Sequence, residues 1–307
     1  METYYIRHTA DLDINDATRQ RLWDERRIAV HYPHYKSGED PRGVLPKGKA
    51  DNSSLDLDDY PRRGRTALRA LTELAASGGY VCAEHYPHSE CVLGYVAPGS
   101  KIDLFRGKWG SEEFKGREAV LKSLRLQKVK LVHPGDFAVI SVGRPRQGTI
   151  MHWRRAGKTI ENAVEGRISL PALGDLSSDQ QEIMCSEFLR LPEAAEFHLP
   201  KLAHLLLPVG RTMKGIDICG LSDSGRMIFA QVTYLDVDHC DHKKNTLLQY
   251  GDNGRNVLVL FCNCTAPIRL DGIHIVPLRE VYHGFVRTVT GKAWLERASS
   301  PLAMKSK

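Results

Sequence analysis

The chain has 307 residues, of which 42% are apolar and 26% charged, so it is long enough for two ordinary globular domains with buried cores. No run approaches the roughly 18 apolar residues that a membrane helix needs. Seven irregularly spaced cysteines do not form a disulfide framework, and the first residues hold no apolar signal segment. We therefore expect a cytoplasmic protein that is neither membrane-spanning nor disulfide-stapled.

The net charge of +6 is unevenly distributed. Residues 1–172 account for the whole excess, whereas residues 173–307 carry 15 basic and 15 acidic residues. The stretch 101–155 holds 13 basic residues against 5 acidic ones. Such a stretch attracts a polyanion through phosphate contacts and counterion release, with an ordinary solvated face as the alternative.

The first module begins with a predicted strand, a helix and a second strand, at Tyr4–Arg7, Asp16–Arg26 and Ile28–Tyr32. Residues 35–60 are rich in Gly, Pro, Asp and Lys without apolar periodicity, which predicts a long loop. The apolar spacing of the next segment predicts a helix over Arg65–Ala76.

Short alternating runs then follow, separated by turn signals, and they predict a curved sheet or small barrel in an α+β module. These runs are Tyr80–Ala83, Cys91–Val96, Leu126–Val132, Phe137–Val142 and Thr149–Trp153.

A Pro, Gly and Ser-rich segment at 170–178 predicts a boundary between domains 1–172 and 173–307. Ser177 and Gln180 fit a capping box, which predicts a helix from there to about Leu191. The later segments predict the order α-β-β-β-α-β, and hence a mixed α/β sandwich. The chain as a whole is expected to belong to the α/β class.

Asp217 stands on an apolar strand, where an acidic residue needs a reason. Gln231 and Thr233 are two apart on the next strand, so both point to one face and could converge on Asp217. Glu187 lies at the edge of the apolar face of the preceding helix and adds a second carboxylate. Oxygen ligands of this kind suit Mg²⁺ or Mn²⁺ for phosphodiester hydrolysis.

With Glu187 in the leading helix, the Gly215–Ile218 strand, Gln231–Thr233 and the Val257–Phe261 strand, the second module resembles the PD-(D/E)xK nuclease superfamily, in particular its Mrr-like branch. The resemblance covers about residues 177–290 in topological order. It implies that Glu187, Asp217 and Gln231 hold the metal. It also implies a DNA endonuclease of restriction or anti-phage type.

Thr233 departs from the family pattern, which has a lysine at that place. A threonine hydroxyl cannot supply the positive charge that stabilises the transition state. Either Lys243 or Lys244, near the start of the next helix, supplies the amine, or the site is catalytically degenerate and the module binds nucleic acid or serves as a specificity subunit.

Two other motifs suggest different chemistry. Zinc ligands are an alternative for His239 to His242 together with Cys262 and Cys264, although the spacing fits no standard site. His88-Ser89-Glu90 matches the H-x-E of zinc deaminases, but no P-C-x-x-C follows it, so we discard that interpretation.

The first module faintly resembles the PUA-like EVE and YTH group, on its strand-helix-strand opening and its aromatic residues Trp23, Tyr32, Trp109 and Trp153. That resemblance implies reading of modified or flipped bases. We expect DNA as a partner, together with either a second copy of the chain or an effector subunit, and no membrane. The expected DNA contacts are Lys101, Arg106, Lys108, Arg144, Arg146, Arg154 and Arg155.

Overall fold

A computed structural model of the protein describes residues 1–9, 11–31, 53–60, 62–112, 116–141, 144–145, 148–167, 170–206 and 215–302. Most of the predicted 35–60 loop lies outside these residues. The chain divides into two compact units, one of residues 1–169 with the segment from Ser299, and one of residues 170–298. Helices and mixed sheets build both units, so the α/β class is confirmed. No helix in the described part is long and apolar enough to cross a membrane.

The first unit contains two sheets, with strand orders β7-β4-β3-β1-β8 and β2-β6-β5. Each sheet has two different edge strands, so neither sheet closes on itself within the described residues. The predicted small barrel is therefore wrong. Strands β1 and β3 are parallel, and the other pairs are antiparallel. The elements are β1 Thr3–His8, α1 Asp16–Asp24, β2 Arg27–Val30, α2 Arg62–Ser77, β3 Gly79–His85, β4 Cys91–Val96, β5 Asp103–Lys108, β6 Glu118–Arg125, β7 Gln127–Val132, α3 Pro134–Ser141, β8 Ile150–His152 and α4 Gly157–Glu165.

The five-stranded sheet is covered on both faces. Side chains alternate along β1, so Tyr4 and Ile6 pack in the cluster that contains α2, whereas Tyr5 packs in the cluster that contains α4. Leu71 and Leu74 of α2 are fully buried, as the helical spacing predicts. Helix α2 therefore packs on one face of this sheet and helix α4 on the other.

The predicted strand at Phe137–Val142 is wrong, because most of this segment belongs to helix α3, Pro134–Ser141. Pro134 stands at the first helical position, where proline costs no hydrogen bond. The backbone N–H of Gly135 donates to Nδ1 of His133, 3.2 Å away. The Pro134-Gly135 pair, which is a turn signal in the sequence, thus stands at the start of helix α3.

The second unit contains one sheet, with strand order β13-β14-β12-β11-β10-β9. The predicted capping box forms at the N-terminus of its leading helix. The Ser177 N–H donates to Gln180 Oε1 at 2.9 Å, and the Gln180 N–H donates to Ser177 Oγ at 3.3 Å. The elements are α5 Ser178–Phe188, β9 Leu202–Leu205, β10 Ile218–Ser222, β11 Met227–Asp236, α6 Asp241–Leu248, β12 Val257–Asn263, β13 Ile268–Leu270, β14 Ile273–Pro277, α7 Leu278–Arg287 and α8 Val289–Ser299.

Strand β12 is buried along nearly its whole length, which is typical of a strand covered on both faces. Leu258, Leu260 and Cys262 pack in one cluster with Leu247 of α6. Helices α5 and α7 pack against each other and against β11. The second unit is therefore a mixed α/β sandwich in which α5 and α6 both pack against β11, whose last three residues stay exposed.

Two histidines are buried side by side in the first unit. His8 bonds through its ring nitrogens to the Glu84 carbonyl at 3.1 Å and to the main chain of Ala29. The His85 ring stacks on it, with centroids 4.2 Å apart. Burial lowers the pKa of His8 to about 4 and that of His85 to about 2, against an ordinary value of 6.5.

These histidines make stability depend on pH. Because their folded pKa values lie below the unfolded value, the unfolded chain takes up protons first as the pH falls. The free energy of unfolding should be highest above pH 6.5 and fall between pH 6.5 and 4, by up to about 1.4 kcal/mol per pH unit for each histidine. Urea unfolding at pH 7.5, 6 and 5 measures this. His85→Phe should reduce the change of the free energy of unfolding with pH, and the exposed His133→Phe should leave it unaltered. The same pH dependence in both variants and the unaltered protein would contradict the explanation.

Candidate active site

The β10–β11 hairpin positions Asp217. The N–H of Asp217 donates to the Ala230 carbonyl at 3.0 Å, one residue before β10 begins. Its carboxylate oxygen Oδ2 accepts the N–H of Val232 at 2.8 Å. The side chain is about a quarter exposed. The carboxylate is thus held over the carboxyl half of β11 while it stays accessible.

Lys243 of α6 approaches this carboxylate. Its Nζ lies 3.8 Å from Asp217 Oδ2 and donates to the Val232 carbonyl at 3.2 Å. Lys244 instead pairs with Asp241 at 2.7 Å, and that hydrogen bond raises the pKa of Lys244 and lowers the pKa of Asp241. Of the two lysines considered for the missing amine, Lys243 is the one that contacts Asp217.

Gln231 is buried, at 2% exposure, on the face of β11 that meets α6. Its amide nitrogen donates to the Gly215 carbonyl, which leaves the amide oxygen as its acceptor atom. Thr233 lies two residues further along β11, and its hydroxyl accepts the N–H of Leu235 at 3.3 Å. Thr233 thus forms a hydrogen bond within its own strand and adds no charge to the site.

Glu187 lies in the last turn of α5, with its side chain partly exposed. Its carboxylate lies 3.9 Å from Arg190. Burial, Glu182 and Asp217 together raise the pKa of the Cys185 thiol, so both carboxylates lie near that thiol. Glu187 follows Cys185 by two residues, which is about 200° around the helix. Glu182 is one helical turn before Cys185, and that spacing is a sequence signal that the prediction of Glu187 did not use.

The oxygens gathered here suit a hard divalent ion. Asp217 supplies a carboxylate and Val232 a main-chain carbonyl, and these oxygens lie 3.8 Å and 3.2 Å from Lys243 Nζ. Mg²⁺ is commonly bound by one or two carboxylates with waters completing its shell. Within the described residues, no group of three or more His, Cys, Asp or Glu side chains is arranged to hold a metal. A divalent ion held beside the Val232 carbonyl would have Asp217 as its carboxylate ligand.

The zinc alternative gains no support from the cysteines. Cys240 and Cys262 lie in the hydrophobic core beside α6. Neither belongs to a metal-holding group of three or more His, Cys, Asp or Glu side chains in the described part of the chain. All seven cysteines of the chain are free.

The basic residues expected to contact DNA belong to the first unit. Lys101, Lys108 and Arg155 are exposed, and Arg146 lies outside the described residues. The other three form ion pairs, which are Arg106 with Glu118 at 2.7 Å, Arg144 with Glu84 at 2.5 Å and Arg154 with Glu2 at 3.9 Å. Exposed pairs of this kind are worth about 0–1 kcal/mol, so phosphate can replace the glutamates at little cost.

The tryptophans of the first unit are core residues. Trp23, Trp109 and Trp153 are 7%, 3% and 2% exposed, so none presents a ring face to solvent for base stacking. Tyr32 lies outside the described residues. These three tryptophans therefore offer little ring surface for stacking on nucleic-acid bases.

Known proteins provide no relative for this chain, since no family model, no curated protein and no solved structure matches it. The arguments for function accordingly come from its own residues.

Gly215 supports the site through its backbone. Its φ of +80° is in the left-handed region, and an added Cβ would lie 2.9 Å from Thr246 Cγ2. Gly225, with φ +79°, has open space around it. Gly215→Ala should lower the free energy of unfolding by about 2–3 kcal/mol and Gly225→Ala by about 1 kcal/mol, because only the first adds a clash to the strain. Urea denaturation compares them, and equal losses would count against a close approach of α6.

Proposed function

We propose that the protein is a metal-dependent DNA endonuclease whose second unit hydrolyses phosphodiesters. The observation that carries this proposal is the cluster of Asp217, the Val232 carbonyl and the Lys243 ammonium at the carboxyl half of β11. It combines oxygen donors for a hard cation with an amine for a charged transition state. The topological order of the second unit is the one expected of the PD-(D/E)xK resemblance.

In this proposal each side chain has a distinct task. Asp217, the Val232 carbonyl and Gln231 would hold Mg²⁺ or Mn²⁺, which polarises the phosphate and activates water when bound. Lys243 stabilises negative charge that develops on the phosphate oxygens, as the lysine missing at Thr233 would do. Asp217 also holds Lys243 in place through the 3.8 Å ion pair.

The first unit would bring DNA to this site. The positive excess of the chain lies in residues 1–172, and exposed Lys101, Lys108 and Arg155 can contact phosphates. Restriction or defence against phage is the biological role that the family resemblance suggests, by analogy alone.

A catalytically degenerate nuclease fold that binds nucleic acid is the second candidate. One observation favours it: the Lys243 ammonium already contacts the two oxygens that a metal would use, from Asp217 and Val232. A resident ammonium and a single carboxylate both reduce the affinity for a divalent cation.

Asp217→Asn tests the site while keeping the size of the side chain. We expect cleavage of plasmid DNA with Mg²⁺ or Mn²⁺ to fall by about 10²–10³-fold, because the charged ligand is lost. The exposed Asp223→Asn, in the β10–β11 turn, is the matched control and should cleave normally. Substrates should include DNA with and without modified bases, and a chelator should stop the reaction. Salt-sensitive binding without products, unchanged in Asp217→Asn, would favour the degenerate fold instead.

Variants of Lys243 and Lys244 distinguish which of the two lysines supplies the amine. Lys243→Ala should lower the cleavage rate by about 10²-fold, because Lys243 contacts the site, whereas Lys244→Ala should stay within about threefold of the unaltered protein. Initial rates at saturating Mg²⁺ measure the difference. A larger loss in Lys244→Ala than in Lys243→Ala would show that the assignment of the amine is wrong.

A further inference from the structure

Strand β11 leaves the pairing of its sheet near its carboxyl end. Its pairing with β10 covers residues 227–230, and its regular pairing with β12 ends at Val232. Within the described part of the chain, residues 233–235 pair with no neighbouring strand, and the last three residues of β11 are exposed. This accessible segment follows directly on Val232, whose main chain bonds to Asp217 and Lys243.

The segment carries two large exposed side chains, Tyr234 at 46% and Leu235 at 51% exposure. Consecutive residues of a strand point to opposite faces, so these two side chains lie on the two sides of β11. Tyr234 lies two residues, or about 7 Å, beyond Val232. After burial, Asp217 is among the causes that raise the pKa of the Cys185 thiol, and Cys185 in turn contributes to the raised pKa of Tyr234. Tyr234 and Asp217 therefore share a neighbour, and the ring lies beside the candidate active site.

The hydroxyl end of Tyr234 is anchored. It donates a hydrogen bond to the Leu173 carbonyl. Burial raises the pKa of Tyr234 to about 12, a hydrogen bond with Gln181 lowers it in part, and Asp175 raises it further. The hydroxyl is therefore neutral and held in place, while the body of the ring stays exposed. A ring fixed in this way loses little conformational entropy when a flat ligand stacks on it.

The bases of DNA are flat ligands of this kind, and they stack on aromatic side chains with little dependence on sequence. In a duplex the faces of each base are covered by its neighbours in the stack, so only a base that has left the stack can lie on Tyr234. The carboxylate of Asp175 near the hydroxyl disfavours a phosphate at that end of the ring. A neutral base suits the exposed ring better.

We propose that the candidate active site takes DNA with unpaired bases, and that Tyr234 stacks on a base one or two nucleotides from the cleaved bond. Tyr234 is then a specificity-determining residue that selects a single-stranded segment and takes no part in the chemistry. This inference rests on the proposed nuclease function and adds to it the form of DNA that the site accepts.

Cleavage of one DNA sequence in three forms tests the substrate class. The forms are a single strand, a matched duplex and a duplex with a central unpaired bubble, each incubated with the full chain and Mn²⁺. Initial rates on the single strand and within the bubble should exceed the rate on the matched duplex at least about tenfold, because only these two forms offer an unstacked base to Tyr234. Equal or faster cleavage of the matched duplex would overturn the inference.

Binding measurements separate this inference from the nuclease proposal. If none of the three forms is cleaved, the nuclease proposal fails, and fluorescence anisotropy of labelled single strand and duplex then decides the stacking by itself. Tyr234→Ala should lower the affinity for the single strand at least about fivefold and leave the affinity for the duplex within about twofold.

Two further variants serve as controls in the same titration. Tyr234→Phe keeps the ring and should retain most of the affinity for the single strand. Leu235→Ala removes an equally exposed apolar side chain from the opposite face of β11 and should bind within about twofold of the unaltered protein. Single-strand affinity that Tyr234→Ala does not change, or that Leu235→Ala lowers as much as Tyr234→Ala, would show that the ring does not select the substrate.

Discussion

Strand β11 pairs antiparallel with β10 on one side and parallel with β12 on the other, and the second unit depends on this arrangement. The pairing with β12 is regular from Ile228 to Val232 and then shifts before Asp236. At that shift the main chain of Val232 turns to side-chain partners, with its N–H bonded to Asp217 and its carbonyl to Lys243. Irregular pairing beside a functional group is a common way to redirect a strand.

In the proposed nuclease, the same cluster would couple cation binding to charge stabilisation. Asp217 lies near Lys243 on one side and influences the buried Cys185 on the other. Any cation that enters competes with an ammonium already in contact with Asp217. The strength of the site therefore depends on how readily Lys243 moves toward a phosphate, which its flexible stem allows.

The first unit shows a different balance of stability and function. Its sheet is packed on both faces, with helix α2 on one and α4 on the other. At one end of this sheet, buried imidazoles with unsatisfied nitrogens reduce stability. The surrounding packing is extensive enough to tolerate that cost. Three exposed arginines, Arg106, Arg144 and Arg154, are paired with glutamates, while residues 1–172 keep the net positive charge of the chain.

Local sequence patterns predicted most elements well. The Ser177 capping box, the amphipathic α2 and the apolar strand β12 all follow from hydrogen-bonding residues and hydrophobic periodicity within a few positions. The strand predicted at Phe137–Val142 is wrong because a continuous apolar run has no period to distinguish a strand from a helix.

The sequence alone established the α/β class and the adjacent strands near Asp217 and Gln231. It could not separate Lys243 from Lys244, because neighbouring helical residues point about 100° apart and only the packing of α6 on the sheet selects one. Nor could it bring His85 and His88 together at the end of β1. Those contacts join residues far apart in the chain, which local periodicity cannot report.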